Sequence, residues 1–98
     1  MWRLNPRCSL HYRNWGNDWA IFDVGSGQTH AINTVTAVAL MHCENGWVAL
    51  KDLGKSVMAD LELPLSYPIA EVLMPLLQQF AAMELLEHKT NELVESDR

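Results

Sequence analysis

The sequence predicts an α+β fold in which a three-stranded antiparallel sheet precedes three helices. Three short segments rich in aromatic and β-branched residues, separated by turn residues, occupy the first third of the chain. From Val35 onward the apolar residues recur with the helical period. A chain of 98 residues and 11.1 kDa has room for one domain with one core. A winged helix-turn-helix is the compact arrangement of this element order.

The predicted strands form a β-meander. Glycine and asparagine at residues 14–17 supply the first turn, because both residue types adopt positive φ at low cost. Two glycines within residues 25–27 supply the second, and we expect Gly27 to have positive φ. The strands that these turns separate are residues 10–15, 19–24 and 28–32.

Capping residues limit the first predicted helix, and an apolar stripe defines the second. Asn33 or Thr34 can cap the first helix, because their side-chain oxygens accept hydrogen bonds from the amides of the first turn. Gly46 is expected to end it as a left-handed cap. Gly54 lies inside the second helix, at a cost of about 1 kcal/mol relative to alanine. One apolar stripe defines that second helix: Leu50, Leu53, Val57 and Leu61.

The third helix follows a proline-rich break. Ser66 is expected to cap it, and Pro68 to lie in its first turn, where a missing amide is harmless. Pro75 falls inside the helix and should kink it, because it removes the hydrogen bond to residue 71. The apolar positions at helical spacing are Ile69, Val72, Leu73, Leu76, Phe80 and Met83.

The end of the chain divides into a short strand and a tail. Leu85 and Leu86 can form a last strand, and the residues after them carry few apolar anchors. We therefore assign residues 1–87 to one domain and residues 88–98 to a C-terminal tail.

Charge argues against nucleic acid as a partner. Seven Lys and Arg against twelve Asp and Glu give a net charge of −5. A winged-helix DNA reader presents cationic or amide side chains on its last helix. Residues 56–88 contain no Lys or Arg, so phosphates would repel that part of the chain.

The reactive residue types do not form a catalytic or metal-binding pattern. The histidines lack HxH or HxxxH spacing, and the two cysteines lack CxxC spacing. Cys43 follows His42 directly, so their side chains diverge on a helix. Ser26 lies in an incomplete nucleophile elbow, since residue 24 is Val. We predict a protein that is not an enzyme and has no cofactor or metal. The histidines are His11, His30, His42 and His88.

The cysteines and the apolar pattern indicate the compartment. Cys8 and Cys43 are too few for a secreted disulfide scaffold, so reduced thiols in the cytoplasm are expected. The first residues have no signal-peptide apolar run, and no stretch approaches the ~18 apolar residues of a membrane helix. Cytoplasmic localisation without a membrane partner is the prediction.

Residues 19–33, WAIFDVGSGQTHAIN, resemble the PqqD-like peptide chaperones, also called RiPP recognition elements. They are most similar to the subgroup associated with HPr-kinase-related proteins, in which an SGxTH turn and a Leu/Ile-Asn step recur. Here SGQTH at residues 26–30 precedes Ile32 and Asn33. Residues 76–87, LLQQFAAMELLE, are similar to the closing helix of the family. The resemblance extends over residues 2–87.

The resemblance implies a non-catalytic module that binds the leader segment of a ribosomally made precursor peptide. Such modules present the leader to a maturation enzyme, and the partner implied here is a peptide-modifying enzyme or an HPr-kinase-related protein. The leader is expected to add as a strand along the third strand and to rest against the third helix. Periodicity leaves open which helix residues face the groove and which face the core. The implied peptide-binding residues are Gln28, Thr29, His30, Ala31, Ile32, Val72, Leu73, Leu76, Leu77 and Phe80.

Two departures from the family and one alternative remain. Glu84 stands where the family usually has glycine, and Pro75 interrupts the last helix, so the final turn and the groove are expected to differ. The alternative is a winged-helix transcription or assembly factor that acts through protein–protein contacts.

The tryptophans give a separate expectation about packing. Trp19 and Trp15 are expected to pack in the core, and Trp2 to pack on the sheet or on a partner.

Overall fold

The computed structural model of the chain describes residues 1–90. Five strands and three helices lie in this part of the chain. In chain order they are β1 (Trp2–Leu4), β2 (Leu10–Trp15), β3 (Asp18–Asp23), β4 (Thr29–Asn33), α1 (Thr34–Cys43), α2 (Leu50–Leu61), α3 (Ile69–Ala82) and β5 (Leu86–His88).

The predicted three-stranded antiparallel sheet followed by three helices is confirmed. Strands β2, β3 and β4 lie in this order, each antiparallel to the next. Gly16 (φ +63°) and Gly27 (φ +76°) have the positive φ that the two turns require. The Asp23 carboxylate holds the second turn, because it accepts hydrogen bonds from the amides of Gly25 (3.2 Å) and Ser26 (3.3 Å).

Strand β1 is an element that the sequence did not predict. It pairs antiparallel with β5, with Leu4 opposite Leu86, and forms a second, two-stranded sheet. Trp2 is 4% exposed and stacks on His88 with ring centroids 4.2 Å apart, so it packs inside the domain. Strand β5 thus extends one residue into the segment assigned to the tail, and residues 91–98 of that tail lie outside the described residues.

The caps of α1 confirm one prediction and correct another. The Asn33 side chain accepts a hydrogen bond from the Thr36 amide at 2.9 Å, so Asn33 is the N-cap. The C-cap is Glu44 in a right-handed conformation, whereas Gly46 follows two residues later with φ +118°. The prediction of Gly46 as the cap was wrong, because the last turn closes through the Glu44 amide.

The start of α3 also differs from the prediction. Its N-cap is Pro68 without a side-chain hydrogen bond, so Ser66 does not cap it and Pro68 precedes the first turn. Pro75 lies within the helix, which continues to Ala82, and the expected kink stays a prediction. Glu84 has φ +66° in the turn that follows. Glu84 therefore adopts the left-handed conformation that favours glycine, although the residue is not glycine.

The core lies between the helices and one face of the three-stranded sheet. Ile21 is the sheet residue with no exposed surface, and helical residues surround it. Gly54 lets α2 approach α3 closely, since a Cβ placed on it would lie 3.2 Å from Ile69 Cγ2. Trp15 does not join this core but is 57% exposed on the opposite face of the sheet. The largest fully buried helical side chains are Leu40, Cys43, Leu53, Val57, Leu73 and Leu77.

Candidate functional site

The open edge of β4 is the first component of the candidate site. Within residues 1–90, β4 pairs with β3 on one side and with no strand on the other. Thr29 and Ala31 have exposed side chains, whereas His30 and Ile32 are half-buried on the face toward the helices. Gln28 is exposed and directly precedes the strand. An open strand edge can pair with the backbone of another chain.

The register of the sheet shows which backbone groups of β4 are available. The Asp23 amide donates to the Gln28 carbonyl oxygen at 2.9 Å. Hydrogen-bonded and non-hydrogen-bonded pairs alternate along an antiparallel ladder, so residues 30 and 32 also bond to β3. Thr29 and Ala31 therefore direct both their N–H and C=O groups to the open edge.

Helix α3 forms the wall of a groove beside this edge. The groove has a volume of about 380 Å³, and Leu76 and Phe80 provide its apolar lining. Asp18 and Asn33 lie at the end where β4 leads into α1. The groove thus combines an apolar wall with unpaired backbone groups. The other residues that line it are Ala31, Ile32, Thr36 and Gln79.

The structure divides the helix residues that the resemblance implied. Leu73 and Leu77 have no exposed surface and belong to the core. Val72 is half-buried and does not line the groove. Phe80 has both roles, since it is 6% exposed and also lines the groove. A peptide in the groove can therefore touch Leu76 and Phe80 but not Leu73 or Leu77.

Gln79 is a groove residue that sequence reasoning missed. It shares a helix face with Leu76 and Phe80, because positions three and four apart on a helix are neighbours. Sequence reasoning considered only apolar residues for the helix wall and so left out Gln79. Its spacing of three residues from Leu76 nevertheless places it on the same helix face.

His30 lies on the face of β4 toward the helices, but it is not one of the residues that line the groove. Its ring makes a T-shaped contact with Phe80, with centroids 6.3 Å apart and an interplanar angle of 84°. The Nε2 atom of His30 is buried without a hydrogen-bond partner. No other buried side-chain nitrogen or oxygen of residues 1–90 lacks one.

A larger cleft of about 470 Å³ lies on the outer face of the sheet, beside Trp15 and Phe22. It covers the middle of the sheet, where the backbone groups of β3 bond to strands on both sides. All the residues that line this cleft belong to the three strands, so it has no helix wall against which the side chains of an added strand could pack. We therefore take the groove beside β4 as the candidate site.

Hydrogen bonds and burial shift the pKa values of Asp23, Cys43 and Cys8. Hydrogen bonds from Ser26, with further ones from the Ser9 and Gly25 amides, hold the pKa of Asp23 below its ordinary value against the opposing effect of burial. Burial raises the pKa of Cys43 to about 12 and raises that of Cys8 as well. Both thiols are free and stay protonated at neutral pH.

Within residues 1–90, no three His, Cys, Asp or Glu side chains come together in a metal-binding arrangement. The helices of this part of the chain are also too short or too polar to cross a bilayer.

Comparison with known proteins gives a similarity of fold. No family model matches the chain, and no curated protein matches its sequence. Among solved structures, the chain is similar to TbiB1 in complex with the TbiA(beta) leader peptide, with a TM-score of 0.65 and 16% sequence identity. The similarity covers 91% of this chain and 99% of that one. The chain therefore has the fold of a protein that was solved with a leader peptide.

Proposed function

We propose that the protein is a non-catalytic recognition module that binds the leader segment of a ribosomally made precursor peptide. The leader adds as a strand to the open edge of β4, with its side chains against α3, and the module presents it to a peptide-modifying enzyme in the cytoplasm. The resemblance at residues 26–33 extends the proposal to the subgroup that works with HPr-kinase-related proteins.

One observation carries this proposal: the unpaired backbone groups of Thr29 and Ala31 lie at the open edge of β4, beside a groove in which Leu76 and Phe80 provide the apolar lining. Main-chain hydrogen bonds supply affinity in strand addition, and pockets for alternate side chains supply specificity. At the rise of a strand, the five residues of β4 span about 17 Å. A peptide strand of about five residues can therefore pair along the whole of β4. The complex of the structural relative with a leader peptide gives independent support.

The first test is selection from a displayed library of random peptides about twice as long as β4. Amide chemical shifts of the protein are then followed as a selected peptide is added. We expect perturbations at Thr29, Ala31 and the Leu76–Phe80 side of α3. Perturbations confined to β2 and β3, or a failure to select any peptide, would contradict the proposal.

Strand addition has a second, specific signature in the peptide. N-methylation removes one backbone donor at a time, and donors that face β4 occur at every second residue of a strand. Affinity should therefore fall with a period of two along the selected peptide. A helical period, or equal loss at all positions, would indicate another binding mode.

Duplex DNA separates the proposal from the transcription-factor alternative. The acidic chain has a net charge of −5 and no cation in residues 56–88, so a random duplex should not bind at physiological salt. Micromolar or tighter binding to the duplex under these conditions would favour the alternative.

A further inference from the structure

The unpartnered nitrogen of His30 is the unusual feature of β4. A buried polar group without a hydrogen bond is costly, and native structures contain few such groups. Within residues 1–90, His30 Nε2 is the only side-chain nitrogen or oxygen in this situation. The neighbouring Phe80 ring offers it no conventional partner.

Strand geometry determines what would lie next to this ring in a complex. Residues 29 and 31 present their backbone groups to the open edge, so His30 occupies a non-hydrogen-bonded position relative to an added antiparallel strand. At such positions the Cβ atoms of facing residues are about 4.5–5.5 Å apart, the shorter cross-strand spacing. The facing side chain lies on the same side of the sheet as the His30 ring, toward α3.

We propose that His30 is a specificity-determining residue whose ring turns when a strand is added, so that Nε2 meets a hydrogen-bonding side chain at the peptide position opposite it. The imidazole nitrogen can accept from or donate to the hydroxyl of Ser or Thr or the amide of Asn, and it can donate to the carboxylate of Asp, depending on its tautomer. An aliphatic side chain at this position would leave Nε2 without a partner in the complex. This inference rests on the proposed function, because it concerns the same added strand.

His30→Phe distinguishes a recognition role from a structural one. The substitution keeps an aromatic ring beside Phe80 and removes the unpartnered nitrogen, so the free domain should become more stable, with Tm raised by about 4–8 °C. Affinity for the selected peptide should instead fall roughly tenfold. A structural residue would change stability and affinity in the same direction.

His30→Gln is the rescue variant, because the end of the Gln side chain lies near the position of the imidazole Nε2 and can donate or accept. It should recover most of the affinity that His30→Phe loses. Ile32→Val is the matched control on the same face of β4, and it should leave the preference at the peptide position opposite residue 30 unchanged.

A double-mutant cycle identifies the peptide position. Each residue of the selected peptide is replaced by alanine, and binding is measured to the wild-type protein and to His30→Phe. At one polar peptide position, alanine should weaken binding to the wild type roughly tenfold and leave binding to His30→Phe unchanged. If no position behaves in this way, the inference is wrong while the proposed function stands. If the library yields no peptide for the wild type, the proposed function fails and the inference fails with it.

Discussion

Ala31→Pro removes one backbone donor from the open edge of β4 and leaves the ladder to β3 intact. The alternation of the ladder directs the Ala31 amide away from β3, so the substitution breaks no hydrogen bond of the sheet. Proline is tolerated on edge strands when its missing amide would face solvent. The preceding His30 is already in a strand, which is the conformation that a residue before proline prefers.

The expected loss of affinity follows from one missing hydrogen bond. A neutral hydrogen bond contributes about 0.5–1.5 kcal/mol net, and an unsatisfied partner in a partly buried groove costs about 1–3 kcal/mol. We therefore expect about 1–3 kcal/mol, which is a ~5- to 150-fold weaker Kd for the selected peptide. The Ala31 side chain is exposed and small, so lost side-chain contact adds little.

The assay is isothermal titration of the selected peptide, after circular dichroism has shown a native spectrum for the variant. Asn14→Pro is the control for an edge proline, because the Asn14 amide faces the open edge of β2 on the other side of the sheet. It also removes two hydrogen bonds that the Asn14 side chain donates to the carbonyl oxygens of Gly16 and Asp18, so its native spectrum is checked in the same way. Binding to a natively folded Asn14→Pro should match wild type. Unchanged affinity in a natively folded Ala31→Pro, or equal losses in both variants, would refute strand addition at β4.

Three further predictions concern the fold around the site. Glu84→Gly should stabilise the domain by about 1 kcal/mol in urea unfolding, because Glu84 has φ +66° and only glycine adopts this region without steric cost; a lower unfolding midpoint would contradict this. Gly27→Val should destabilise by at least ~1 kcal/mol, since Gly27 has φ +76°, and an unchanged Tm would show that the turn tolerates a β-branched residue. Phe80→Ala should cost about 3–5 kcal/mol of stability, because Phe80 is only 6% exposed, and a loss below about 1 kcal/mol would place its ring outside the core.

Local chemistry accounts for the parts of the fold that the sequence predicted. Strands β2 to β4 are short, are rich in aromatic or β-branched residues, and are separated by glycines that the structure finds at positive φ. Strand β1 was missed because its three residues show no alternation. It also depends on pairing with β5, more than eighty residues away, and on a bridge between Trp2 and Val48, and a local pattern carries no information about such partners.

The candidate site could be predicted only in outline. Both outer strands of a meander have an open edge whatever their sequence, so the strand order left β2 and β4 as candidates, and the family resemblance selected residues 28–32. Helix α3 is apolar around much of its circumference, and periodicity therefore could not separate the buried Leu77 from the groove residue Leu76. The unpartnered Nε2 of His30 depends on the packing of Phe80, which no spacing in the sequence reveals.

The pairing of β1 with β5 brings the two ends of the folded domain together. The Met1 ammonium donates to the Lys89 carbonyl oxygen at 2.7 Å, and Arg3 and Lys89 both lie 4.5 Å from the centre of the Trp47 ring. A domain with adjacent ends can be spliced into a surface loop of a larger protein through two short connections, or permuted by joining its ends and opening it elsewhere. The ends lie at the β1–β5 sheet, and the open edge of β4 belongs to the other sheet. A host protein could therefore carry this module as an insertion and keep the peptide groove accessible.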